Sequence, residues 1–348
     1  MKAPSTLPFW STRPYLVSGL ALALALFFSV VVGAVWIPPQ MMARLLAALA
    51  LPLDLSDVPP AYQTIVHSVR LPHAILMALT GAALASSGAA YQGLFRNPLA
   101  DPYLIGVASG AGLGAVIALA LRWPATLGGW LVVPIAAFGG ALLTVLIVYR
   151  LARINQSLPT TTLILAGVAV SSFATALTSF IMLRSRDELY RALAWLLGGS
   201  TVNGWTPVWA AFPYILIGFL VLWSLAHALN VLQFGEEQAH QLGIQVERAK
   251  LLLILAASLT TAAAVSFSGL IGFIGLIVPH TMRLLWGPDY RRLLPLSALG
   301  GACVLLLADL LARVALAPQV LPVGVVTALA GAPFFLWLLR RAKSEFIW

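Results

Sequence analysis

The sequence predicts an all-α polytopic membrane protein of about ten transmembrane helices with both termini in the cytoplasm. Three observations carry that prediction. Hydrophobic residues fill 61% of the 348 positions and charged residues only 9%, against roughly 25% charged in a soluble domain. Apolar runs of about 20 residues, the length that crosses a bilayer, recur along the whole chain. The Lys and Arg residues lie in the breaks between those runs and form no basic stretch interleaved with aromatics, so the net charge of +9 reflects topology and not nucleic-acid binding.

The first apolar run, 15–36, follows Lys2 and Arg13 and lacks the A-x-A exit of a cleaved leader, so it is expected to remain as a helix. Further spans are expected at 70–93, 103–121, 130–150, 160–182, 206–228, 249–267, 269–286, 294–313 and 322–340. Only Ser266, Ser268, Gly269 and Gly272 separate the seventh from the eighth, and fusing the two would give nine helices with reversed topology beyond. Charge placement favours ten. With the N-terminus inside, 13 cations fall on the inner side (Lys2, Arg13, Arg96, Arg150, Arg153, Arg248, Lys250, Arg283, Arg291, Arg292, Arg340, Arg341, Lys343). The outer side takes 7 (Arg44, Arg70, Arg122, Arg184, Arg186, Arg191, Arg313).

Three connections carry more than a turn. The outer stretch "QMMARLLAALALPL" suits a short interfacial helix. A second outer helix is expected at 186–198, where Leu189, Leu193, Leu196 and Leu197 share a face and Gly198 and Gly199 follow as a stop. The inner passage 232–250, "LQFGEEQAHQLGIQVERAK", is the longest polar stretch. Glu236 and Glu237 after Gly235 suit a helix N-terminus, and Gly243 after Leu242 suits its end. A one-to-two-turn cytoplasmic helix and a plain solvated loop both fit those residues. No linker divides the chain, so 1–348 is expected to be a single transmembrane domain.

Glycine spacing sets the packing. Gly81, Ala85, Ala89 and Gly93 form one small-residue row and Gly106, Gly110 and Gly114 another, which lets helix backbones approach closely in lipid. No GxxxxGK[ST] occurs, so no nucleotide loop is expected on this chain. Cys303 is the only cysteine, and HExxH and GxSxG are absent; neither a metal cluster nor an enzyme site is expected. Asp309 and Arg313, spaced i, i+4, read as a structural ion pair, and His280 as a structural residue. A secondary transporter, the alternative of another class, would need a midplane coupling carboxylate that the spans do not offer.

The passages "RLPHAILMALTGAALASSGAAYQGLFRNPLADPYLIGVASGAGLGA" (70–115), "LILAGVAV" (163–170), "GEEQAHQLGI" (235–244), "GLIGFIGLIVPHTMR" (269–283) and "LPVGVVTALAGAPFFLWLL" (321–339) resemble the FecCD family. Its members are permease subunits of ABC importers for vitamin B12, haem and ferric siderophores. The resemblance implies a homodimer of ten-helix subunits, two cytoplasmic ATPase subunits that bind ATP and Mg, a periplasmic binding protein, and no cofactor on this chain. It implies that Gly235, Glu236, Glu237, Ala239, Leu242 and Gly243 form the ATPase-coupling helix. The cytoplasmic gate would comprise Asn97, Pro98 and Leu99 together with Leu158, Pro159 and Thr160, with Pro159 standing where the vitamin B12 branch has serine. Arg70 and Arg313 match positions that dock the binding protein, and His73 replaces a third arginine there. The eight hydroxyls on the fifth span (Thr160, Thr161, Thr162, Ser171, Ser172, Thr175, Thr178, Ser179) would line a mildly polar path or bond to their own helix. Arg184 and Arg186 at the outer mouth suit an anionic passenger, which puts haem first among the cargoes, ahead of cobalamin and ferric siderophores.

Overall fold

The computed structural model describes residues 13–33, 35–49, 51–52, 54–121, 131–155, 157–185, 188–199 and 203–345, with side chains described as far as residue 336. Helices follow one another in the order α1 (Pro14–Val31), α2 (Pro39–Ala47), α3 (Pro60–Leu94), α4 (Val107–Ala120), α5 (Val132–Ala152), α6 (Thr160–Arg184) and α7 (Leu189–Leu196). The second half comprises α8 (Thr206–Ser224), α9 (Ala226–Leu232), α10 (Glu236–Gln241), α11 (Val246–Ser268), α12 (Ile274–Trp286), α13 (Tyr290–Val314) and α14 (Val323–Glu345). No strand forms among the described residues. Among the described residues seven helices are long and apolar enough to cross a bilayer, and α4, α12 and α14 complete the expected set with shorter apolar helices or segments. The short outer helices also form, as α2 and α7.

Local sequence explains the ends. Proline stands in the first turn of α1, α2, α3 and α8, where its missing N–H costs nothing. Asp289 caps α13 by accepting a hydrogen bond from the Arg291 N–H (3.0 Å). Two expected spans begin later than composition suggests. The third starts at Val107, because Asp101 caps a 3₁₀ turn over Pro102–Ile105 and Gly106 adopts φ +87°. The eighth starts at Ile274 and not 269, because Gly269 (φ +74°) and Phe273 (φ +70°) hold the chain out of the helix between them. That five-residue break settles the count in favour of two separate helices.

Most of α3 and α11 is buried, whereas α1 and α6 turn most of their surface outward. The glycine rows do what their spacing predicts. At Gly81 and Gly301 the backbones of α3 and α13 touch, and any Cβ there would overlap the opposing carbonyl. Gly88 meets Gly275 on α12 in the same way, and Gly110 and Gly114 meet Gly140 and Ala136 on α5. Such contact replaces the hydrophobic effect, which is absent between helices in lipid. Cys303 lies partly buried, its Sγ facing the Ser18 carbonyl on α1 at 4.0 Å.

Candidate functional site

The inner passage folds into a six-residue helix, α10, held between Gly235 (φ +116°) and Gly243 (φ +84°). Both glycines occupy backbone regions that a side chain disfavours, which is why the helix starts and stops where it does. Glu236 and Glu237 lie in its first turn, where the helix dipole favours them. Ala239 is buried against the body, while Glu237, Leu242 and Gly243 are exposed. Phe234 and Leu242 flank the helix with 71% and 67% of their surfaces exposed. Both are large apolar side chains on an otherwise polar loop.

Three contacts root this segment in the helices above it. Asn230 donates from Nδ2 to Asp289 Oδ1 (2.7 Å), and its Oδ1 accepts from the Tyr290 N–H (2.9 Å). The Asn230 hydrogen bond, with the Arg291 N–H and nearby arginines, holds the Asp289 carboxyl below its usual pKa against the penalty of burial. Gln233 Nε2 donates to the Gly93 carbonyl at the end of α3 (3.0 Å). Lys250 Nζ donates to Glu236 Oε2 (2.6 Å).

The first expected gate segment is a turn and the second an extended lead into α6. In the first, Asn97 Oδ1 accepts from the Leu99 N–H (2.9 Å), Pro98 stands at the exposed tip, and Arg96 adopts φ +49°. The chain then dives inward: Pro102 packs against Gly275, and the Tyr103 hydroxyl donates to the Ile271 carbonyl (2.9 Å) and accepts its N–H (3.1 Å). Breaks before α4 and α12 are thereby joined. In the second segment Leu158 is buried and Pro159 caps α6, whose first residue is Thr160. Four α6 hydroxyls, those of Thr162, Ser172, Thr178 and Ser179, donate to backbone carbonyls three, four or ten residues earlier. These satisfy the helix and not a passenger.

At the outer end Arg70, His73, Asp309 and Arg313 come together in the wall of a cavity of about 520 Å³. The expected pair forms, Arg313 Nε donating to Asp309 Oδ2 (2.9 Å). A carboxylate can only accept, so His73 Nε2–H donates to Asp309 Oδ1 (2.8 Å). Arg313 also reaches the Ser29 carbonyl (3.0 Å) and hydroxyl (2.9 Å). Arg70, expected at a docking position, lines the cavity with its guanidinium turned toward the end of α1. It is 6% exposed and donates to the carbonyls of Val30 (3.0 Å), Val31 (2.9 Å) and Val35 (2.5 Å). It caps α1, because the Val30 and Val31 carbonyls have no partner within their own helix, and it also holds Val35 just beyond the helix end. Arg184 ends α6 on the exposed surface and is not among the described residues lining the cavity; Arg186 lies outside the described residues.

Phe234, Lys250 and the His73–Asp309 bond escaped the sequence reading. Phe234 had a signal, an aromatic beside two glutamates in a polar loop, whereas the other two depend on partners 14 to 236 positions away.

Comparison with known proteins agrees with this architecture. Residues 21–341 match the FecCD transport family. The chain is 50% identical over 293 residues, 84% of this chain and 78% of the relative, to the cobalamin import system permease protein BtuC of Halobacterium salinarum. It is 42% identical over 281 residues, 80% and 84% of the two chains, to the hemin transport system permease protein HmuU of Yersinia pestis. A solved inward-facing conformation assigned to the metal-chelate type of ABC transporter superposes with a TM-score of 0.79 at 30% identity, covering 95% of this chain and 99% of that one. With its apolar helices and its breaks before α4 and α12 in that setting, the chain belongs to the FecCD transport family, as a multi-pass inner-membrane permease subunit of an ABC importer.

Proposed function

We propose that this subunit carries a metal chelate inward as a homodimer, driven by two cytoplasmic ATPase subunits and supplied by a periplasmic binding protein. The observation that carries this is the glycine-bounded α10, with Phe234 and Leu242 exposed on either side, in a family member without a nucleotide loop. ATP and Mg belong to the partner, which grips α10. The outward apolar face of α6, with Leu165, Val168, Phe173 and Phe180, suits burial against the second copy and lipid. Asn97 to Leu99 and Leu158 to Thr160 serve as the cytoplasmic gate. The binding protein meets the outer mouth, where His73 and Arg313 lie in the cavity wall beside the exposed Tyr190.

Cobalamin stands ahead of haem as cargo. Haem rested on the mouth arginines, and Arg184 does not face the cavity; the 50% identical relative is a cobalamin permease and the 42% identical one a hemin permease. The test is reconstitution in proteoliposomes with the cognate ATPase and binding protein, measuring uptake of cobalamin, haem and a ferric siderophore. ATP-dependent uptake of cobalamin is expected. Uptake that persists with a hydrolysis-dead ATPase favours a secondary transporter, and uptake of haem alone reverses the cargo order.

A further inference from the structure

Lys250 is 2% exposed in the second turn of α11. An ammonium carries three N–H donors, and burying it is costly unless each finds an acceptor. Here each does. Nζ donates to Glu236 Oε2 (2.6 Å), to the Leu158 carbonyl (3.0 Å) and, more weakly, to Glu247 Oε1 (3.5 Å). A methionine or leucine would fill the same space without desolvating a charge, so packing alone does not call for lysine. What lysine adds is a cross-link between segments that are distant in sequence.

The identity of those segments gives the link its meaning. Glu236 opens α10, the helix proposed to face the ATPase, and Leu158 immediately precedes Pro159 and Thr160 in the second gate segment. The carboxylate is 44% exposed and the carbonyl is buried, so the lysine joins a surface lever to an interior backbone group. On the side of the first gate segment the connection is the neutral bond from Gln233 to the Gly93 carbonyl, in the last turn of α3, which ends just before Asn97. Charge-assisted hydrogen bonds are the stronger kind, and the charged one leads to the second segment.

We propose that Lys250 is a positioning residue that makes α10 and the second gate segment move as one unit, by passing displacement of Glu236 through Nζ to the Leu158 backbone. The proposal rests on the coupling and gate roles assigned above. It predicts that breaking the link leaves an assembled importer that hydrolyses ATP without moving cargo in proportion.

The experiment measures ATP hydrolysed per cobalamin or haem imported, whichever the wild-type importer carries, in proteoliposomes holding the full complex. Lys250→Met should raise that ratio about tenfold, within the usual range of coupling energies, while the ATPase subunits still co-purify. Lys250→Arg, which keeps charge and donors, should stay near the wild-type ratio. Should Lys250→Met fail to accumulate, Glu236→Gln leaves the lysine on the Leu158 carbonyl and weakens the α10 side, and the same direction is expected. Assembled variants that lose hydrolysis and uptake in proportion, or match the wild type, overturn the link. A wild-type chain that imports without ATP overturns the reading beneath it, and is told apart because the failure is then in the wild type.

Discussion

At the outer end Arg70, His73, Asp309 and Arg313 direct their polar atoms at one another and at the carbonyls and hydroxyl of α1. At the inner end Lys250, Gln233 and Asn230 reach instead from one loop or helix end to another, and Phe234 and Leu242 remain uncovered. The first arrangement holds α1, α3 and α13 in fixed relation. The second leaves two apolar side chains exposed and connects α10 to the segments proposed as the gate. Charge therefore ties neighbouring helices together on one side and, in the proposal above, transmits displacement on the other.

The largest expected effect breaks the outer arrangement. Asp309→Ala removes the acceptor that His73 and Arg313 share, leaving a partly buried guanidinium without its counter-charge. About 3 kcal/mol of stability should be lost, measured as a lowered thermal midpoint of the detergent-purified protein. The ratio of ATP hydrolysed to cargo imported should stay near wild type in whatever fraction folds. A loss well below 1 kcal/mol would mean that water in the cavity replaces the carboxylate, and the outer end would not be the rigid one.

Next in size is the uncovered surface. Phe234→Ser or Leu242→Ser removes an exposed apolar side chain, so thermal stability should hardly change. Affinity for the ATPase subunit should fall by about 2 kcal/mol for the more central of the two, read by titrating the purified ATPase onto permease in nanodiscs. Unchanged affinity in both variants would remove α10 from the contact and transfer the coupling role elsewhere.

Why one end was more legible than the other follows from how far apart the partners lie in sequence. The ten spans, the glycine rows, α7, α10 and the Asp309–Arg313 pair depend on residues within a few positions of one another, and composition and spacing expose them. The Arg70 cap, the His73–Asp309 bond and the Lys250 bridge join residues 14 to 236 positions apart. Arg70 illustrates the gap. Its position at the outer end was readable, but whether it faces solvent or the end of α1 depends on a helix placed by tertiary packing. The late starts of α4 and α12 are intermediate: Gly106 and Gly269 are visible punctuation, whereas the left-handed Phe273 is not, because nothing local favours that conformation in phenylalanine.

The smallest expected effect tests whether the inner end is anchored at its root as well as bridged at its tip. Asp289 accepts from Asn230 and from the Arg291 N–H, and so both caps α13 and holds α9, from which the coupling segment extends. Asp289→Ala should cost about 1 kcal/mol at pH 7, the usual value of a helix cap. Because these hydrogen bonds lower the folded-state pKa, the contribution is fully present above the ordinary carboxylate value of about 4 and is lost as pH falls through the lower folded value. The gap between variant and wild-type thermal midpoints should therefore be constant from neutral pH down to about 4 and close below it. A gap that persists in strong acid would assign the effect to packing. A gap that closes, together with a higher ATP-to-cargo ratio at neutral pH, would show that the lever needs a fixed root as well as its lysine link.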